Sequence, residues 1–139
     1  MQLFEFSIAS VVRVSGEDAL PYLQSQLTIN LNQIPVLGTR PGLRLSLKGK
    51  VLFGAQVIRT GEEEYLLVCR DTPASEVIGL LEENIVADEV EFTDLSNHWK
   101  LSSLFHPSSM EKTLAISGIE KLAPNEARQL EKGWAFLNP

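Results

Sequence analysis

Lys48 and Lys50 flank Gly49 in the stretch Ser46-Leu47-Lys48-Gly49-Lys50-Val51, and two ammonium groups at one turn could hold a small anion. The same residues also describe a solvated turn, and on spacing alone that plainer reading is favoured. Cys69 is the only thiol and lies in the strand-like run Tyr65-Leu66-Leu67-Val68-Cys69, which reads as a buried structural cysteine rather than a nucleophile. His98 and His106 are eight residues apart with no third ligand type nearby, so they read as loop histidines and not as metal ligands. Trp99 and Trp134 read as core or interface residues. The sequence has no G-x-G-x-x-G, no phosphate-loop lysine, no H-E-x-x-H and no Cys/His ligand spacing. Spacing alone therefore gives no catalytic set and no metal site.

The elements that must position these residues follow from periodicity. Leu43, Leu45 and Leu47 alternate with Arg44 and Ser46, and Val51 to Thr60 is apolar on both faces, so the lysine turn is the tip of a hairpin entering a central strand. Gly49 supplies the positive φ that a tight connection needs. Before the hairpin, Val11-Val12-Arg13-Val14 reads as a strand and Leu20, Leu23 and Leu27 recur at helical spacing. Ser15 and Asp18 compete as the cap of that helix. A start at Asp18 leaves Pro21 in the permitted first turn, so the helix is expected over about Glu17 to Thr28. Thr28 to Pro41 is turn-rich. After the hairpin, Glu64 to Cys69 makes a third meander strand. Thr72 and Pro73 open a second helix with Val77, Ile78, Leu81 and Ile85 as its buried stripe. Glu89 to Asp94 and the stretch from Trp99 read as strands, as does Thr113 to Ser117. Pro124 to Lys132 reads as a short helix stopped by Gly133.

This order predicts an α+β fold: a ferredoxin-like split βαβ domain with a largely antiparallel sheet and helices on one face. The 139 residues, 44% hydrophobic, suit a single domain burying roughly two thirds of its unfolded surface, with a core over 8–105 and an extension over 106–139. The net charge of −6 is unevenly placed. Ala19 to Gly61 holds Arg40, Arg44, Lys48, Lys50 and Arg59 and no acid, giving +5, while the rest of the chain is −11. A local attraction for anions can persist on such an acidic chain, whereas general nucleic-acid binding is disfavoured. The N-terminus lacks the features of a signal peptide, no run approaches the roughly 18 apolar residues of a membrane span, and one unpartnered cysteine suits a reducing compartment. A soluble cytoplasmic protein is expected.

Val11-Val12-Arg13-Val14-Ser15-Gly16-Glu17-Asp18-Ala19, then Tyr22-Leu23-Gln24-Ser25-Gln26-Leu27-Thr28, then Lys48-Gly49-Lys50 resemble the N-terminal region of YgfZ-type folate-binding proteins. That group belongs with the T-protein, or aminomethyltransferase, of the glycine cleavage system. The resemblance runs in register from about Val11 to Ser96, and Glu126 to Trp134 is similar to the family's later helix. It implies a tetrahydrofolate ligand held between several domains. Gln26 and Asn30 would lie on the pterin, and Lys48 and Lys50 on the anionic glutamate tail.

The departures shape the functional expectation. In T-proteins the helix is followed by a Thr-Asn-Asp stretch whose aspartate is associated with folate and aminomethyl transfer, whereas this sequence has Thr28-Ile29-Asn30. An amide carries no charge to stabilise a developing cation, though it can hydrogen-bond a pterin edge. The family's Lys-Gly-Cys-Tyr-x-Gly-Gln-Glu signature and its later domains would fall beyond Pro139. The resemblance thus implies a noncatalytic folate-binding domain tied to one-carbon metabolism or iron–sulfur cluster maintenance. The alternatives are a protein-interaction domain without ligand and, third, an aminomethyltransferase. The apolar tail Gly133-Trp134-Ala135-Phe136-Leu137 needs cover, from its own fold or from a second subunit, and a homodimer is the expectation.

Overall fold

The computed structural model describes residues 2–6, 8–105, 122–123, 126–130 and 133–136. In chain order the strands and helices are β1 (Gln2–Phe6), β2 (Ser10–Ser15), α1 (Ala19–Gln26), β3 (Thr39–Leu45), β4 (Val51–Gly61), β5 (Glu64–Cys69), α2 (Ala74–Glu82), β6 (Glu91–Asp94), β7 (Leu101–Phe105), β8 (Ala127–Leu130) and β9 (Gly133–Phe136). Five strands form one sheet in the order β3-β4-β5-β2-β6, every neighbouring pair antiparallel. It follows that β2 and β4 run parallel on either side of β5 and are connected through α1. Likewise β5 and β6 run parallel on either side of β2 and are connected through α2. These are the two split βαβ units of a ferredoxin-like sheet, with β3 added at one edge.

The start of α1 resolves the competition between two caps. Ser15 remains in β2, Asp18 occupies the cap position, and Tyr22 N–H donates to Asp18 O at 2.9 Å. The Asp18 carboxylate does not cap the helix; it accepts the Glu89 N–H at 2.8 Å and ties the start of α1 to the turn before β6. Pro21 is then the third helical residue, where its missing N–H leaves no intrahelical bond unmade. Gly16 beside this junction has φ +131, and a Cβ there would overlap the carbonyl oxygen of Glu89, so the crossing requires glycine. Helix α2 begins one residue later than Thr72 implies: Pro73 is the cap residue, while the Thr72 carbonyl accepts the Ser10 hydroxyl at 2.7 Å.

Period-two alternation divides the sheet side chains between two faces. Val12, Val14, Phe53, Val57, Tyr65, Leu67 and Cys69 pack against Leu23, Leu27, Val77 and Leu81 of the helical layer. The opposite face carries Val11, Ile58 and Leu66, covered by Ala127, Trp99, Trp134 and Phe136. Apart from Trp99, which precedes β7, this cover is the β8–β9 hairpin, and it overturns the expected helix over Pro124 to Lys132. Ala127–Leu130 is extended and pairs with β9, Ala127 opposite Phe136, so Gly133 opens a strand instead of stopping a helix. The segment is rich in good helix formers, but pairing with β9 and burial on the sheet outweigh local propensity. Ala127 N–H also donates to Leu37 O at 2.7 Å, tying the hairpin to the loop before β3.

The remaining differences are long-range. β1 pairs with β7, Gln2 opposite Phe105, in a two-stranded ribbon whose first strand the sequence patterning does not announce. Thr113 to Ser117, expected as a strand, and His106 lie outside the described residues. Among the described residues, no helix is long and apolar enough to cross a membrane.

Candidate functional site

Strand β4 has 11 residues and β5 only six, and this mismatch makes a recess. Gln56 is the first β4 residue paired with β5, opposite Val68; toward its start, β4 keeps β3 as its sheet neighbour. Where β5 ends at Cys69, the chain leaves the sheet through Arg70, Asp71 and Thr72 to reach α2. The result is a cleft of about 560 Å³ on the face away from the helices. Its floor is Pro41, Leu43, Gly54 and Gln56, Arg70 to Thr72 form one side, and Phe136 of β9 forms a wall.

The floor is flat because Gly54 has no side chain. A Cβ there would stand 3.3 Å from Leu43 Cδ2, directly across the ladder. Gln56 Nε2 donates to Thr39 Oγ1 at 2.7 Å, and Thr39 Oγ1 in turn donates to Val57 O at 2.8 Å, which orients the Gln56 amide. Thr28 pins the loop after α1 to the edge strand. Its N–H donates to Leu43 O at 2.9 Å and its Oγ1 accepts Leu43 N–H at 3.0 Å. Ile29 fills the space over Gly42 on the other side of the sheet. The cleft thus combines apolar area, an aromatic wall, an amide and a charged rim, a lining suited to a flat heterocycle with polar edges.

The residues expected from sequence lie elsewhere. Gln26 is 9% exposed, and both ends of its amide are engaged: Nε2 donates to Ser25 Oγ at 3.0 Å and Oε1 accepts from Asn84 Nδ2 at 3.1 Å. Asn30 is exposed, and its Oδ1 accepts Asn32 N–H at 3.1 Å as the cap of a short 3₁₀ turn, Leu31–Gln33. Lys48 and Lys50 stand exposed at the hairpin tip, where Gly49 has φ +80 as the turn requires. None of the four is among the residues lining this cleft.

The basic segment is also partly spent on structure. The Arg59 guanidinium donates to Ile34 O at 2.9 Å and to Glu62 O at 3.0 Å, and it lies 5.7 Å from the centre of the Tyr65 ring. Arg40 lines a second recess of about 550 Å³ beside Leu37, a non-glycine residue with φ 67. Cys69 is buried in the core on the helix-facing side of the sheet and does not line the cleft, and burial pushes its thiol up to about 11, which is the structural behaviour expected of it. Gly54, Gln56, Asp71 and Phe136 are what sequence reading missed. The available signals were a glycine inside an apolar strand and a charged pair where a strand gives way to a helix.

The family described as the GCVT N-terminal domain matches residues 1–127. The chain belongs to this family. An aminomethyltransferase of Saccharopolyspora erythraea is 29% identical to it over 109 residues, which is 78% of this chain and 30% of that protein. The crystal structure of the glycine cleavage system aminomethyltransferase T of Bartonella henselae superposes with a TM-score of 0.75 at 20% identity, over 90% of this chain and 34% of that one. The chain therefore spans about a third of the length of these relatives. As a GCVT N-terminal domain, it has the expected α+β architecture, and the β8–β9 hairpin supplies the cover of the second sheet face. Among its described residues, no group of three or more His, Cys, Asp or Glu side chains is placed to hold a metal ion.

Proposed function

We propose that this GCVT N-terminal domain binds a reduced folate of the tetrahydrofolate type in the cleft between β3, β4 and β9, without carrying out aminomethyl transfer by itself. The observation that carries this reading is the shape and chemistry of that cleft. A bare glycine floor faces the recess, and an aromatic ring stands at its wall, an arrangement that accepts a planar ring system. Its volume, about 560 Å³, falls within the ordinary range for small-ligand sites. The Asp71 carboxylate on the rim is an acceptor for the paired N–H groups of an aminopyrimidinone edge, and Gln56 offers an amide beside it. Family membership supports the same ligand class, and the domain would then serve one-carbon metabolism or, through a reduced folate, iron–sulfur cluster maintenance. Asn30 at the position where the resemblance places an aspartate argues for binding without turnover.

Titration calorimetry with tetrahydrofolate tests the proposal. One site per chain is expected, lost in Gly54→Leu, whose side chain would occupy the floor from an exposed position and leave the circular dichroism unchanged. Absence of heat with folded protein at submillimolar concentration would refute it, as would undiminished binding by Gly54→Leu.

A further inference from the structure

Two exposed patches on this chain are opposite in charge and share an apolar centre. The first is the tip of the β3–β4 hairpin. Gln56 stands opposite Val68 and β5 ends one residue later at Cys69, so Val51 to Gly54 of β4 lie past the end of that strand and the tip projects roughly 13 Å beyond it. At this tip Leu47 is 109% exposed and Val51 52%, and Lys48 and Lys50 lie between them. The turn itself is closed by backbone: Ser46 N–H donates to Lys50 O at 2.8 Å and Gly49 N–H to Ser46 O at 2.9 Å. A leucine at this point does nothing for the fold. The second patch follows α2. Val86 is 93% exposed, and Glu82, Glu83 and Glu89 around it are exposed acids.

We infer that the hairpin tip of one copy docks on the Val86 turn of a second copy, with Leu47 and Val51 against Val86 and the two lysines facing Glu83 and Glu89. Charge complementarity selects a second copy as the occupant. The tip lies in a segment with no acidic residue between Ala19 and Gly61, and its acidic, apolar-centred complement is on the same chain. Each copy carries both halves, so the contact can be made twice about a two-fold axis. The tail expected to drive association does not supply this surface, because Trp134 and Phe136 pack half-buried against their own sheet. A knob contact of this kind buries little area, so the association is weak and sensitive to salt.

Sedimentation equilibrium of the intact protein, from low micromolar to submillimolar concentration, tests the inference. A reversible dimer is expected, its dissociation constant rising about tenfold or more when the screening length falls from about 10 Å in 0.1 M salt to about 3 Å in 1 M salt. Lys48→Glu/Lys50→Glu and Glu83→Lys/Glu89→Lys should each sediment as monomers, and an equimolar mixture of the two should recover a heterodimer. Leu47→Ser, which leaves every charge in place, should weaken the dimer as well. All these side chains are exposed, and circular dichroism verifies that each variant is folded. A monomer at every concentration overturns the inference, as does a dimer that survives either charge reversal or a mixture that stays monomeric.

Discussion

Replacing Phe136 by alanine should damage the cleft and the fold by separable amounts. Phe136 is half-buried in the satellite core on the second sheet face and also lines the cleft. Truncating a fully buried phenylalanine costs about 3–5 kcal/mol, so a half-buried one should cost about 1.5–2.5 kcal/mol. A domain of ordinary stability, about 5–15 kcal/mol, survives that loss. The ligand loses a stacking partner as well. Aromatic stacking on a heterocycle contributes about 1–3 kcal/mol, so tetrahydrofolate should bind about 5- to 150-fold more weakly. Trp134 provides the control. It stands two residues earlier on β9 and packs in the same satellite core, but it is not among the residues lining the cleft. Trp134→Ala should lower stability at least as much and change affinity by less than about twofold, within the scatter expected of an indirect effect. Urea unfolding followed by fluorescence gives the first quantity, and calorimetry well below the midpoint gives the second. Equal losses of affinity in both variants would show that hairpin docking, not the Phe136 ring, governs binding. Unchanged affinity in a folded Phe136→Ala protein would remove the ring from the site altogether.

Gly16→Ala should destabilise by about 2–4 kcal/mol, because it combines an unfavourable backbone region with a Cβ that overlaps the Glu89 carbonyl; thermal unfolding would register it, and a neutral result would refute the crossing described for β2 and the turn before β6. Tyr65→Phe should leave stability unchanged or raise it by about 1 kcal/mol, since the Tyr65 hydroxyl is buried without a hydrogen-bond partner among the described residues; a loss of more than about 1 kcal/mol would reveal one. Cys69 should impose a pH dependence at the alkaline end. Its thiol ionises near 9.0 when exposed and only near about 11 when folded, so within that window the unfolded chain releases a proton that the folded chain retains. The contribution is fully present below pH 9 and lost as pH rises toward 11, by about 2–3 kcal/mol over two pH units. The difference in stability between wild type and Cys69→Ala, measured by urea unfolding across this range, should shrink accordingly; a constant difference would contradict burial of the thiol.

What the sequence shows plainly is whatever local pattern decides. Glu64 to Cys69 reads as a strand and is one, because six residues alternate between two buried faces and a turn precedes them. Gly49 reads as a turn glycine and has the positive φ expected of it. Patterning narrows the start of α1 to two caps, and Asp18 wins because Ser15 is committed to pairing with Glu64 and Glu91. Ala127 to Leu130 is the opposite case. Its composition is helical, and only partners far away in sequence, Trp134, Phe136 and the sheet beneath them, make it a strand. The basic stretch is equally ambiguous from sequence: nothing in its composition distinguishes Arg59, whose guanidinium binds backbone carbonyls, from Lys48 and Lys50, which face solvent. Gln26 shows the same limit, since its amide is engaged by Asn84 from 58 residues away.

The cleft and the projecting tip arise from one feature, the excess length of β4 over β5. A β5 long enough to pair along all of β4 would fill the recess beside Gly54 with strand and shorten the hairpin that lifts Leu47 into solvent. The two consequences nevertheless use different residues of the same hairpin. Side chains at 47–51 face outward at the tip, while Leu43, Gly54 and Gln56 lie in the floor nearer the sheet. Charge reversal at the tip should therefore leave the floor intact, and filling the floor at Gly54 should leave the tip free to dock. The proposed ligand binding and the inferred self-association would then be independent of each other, joined only through the rigidity of β3 and β4. Such rigidity is the expected state of a hairpin whose inner end is held by Thr28 and Thr39 and whose helix-facing side buries Phe53 and Val57 in the core.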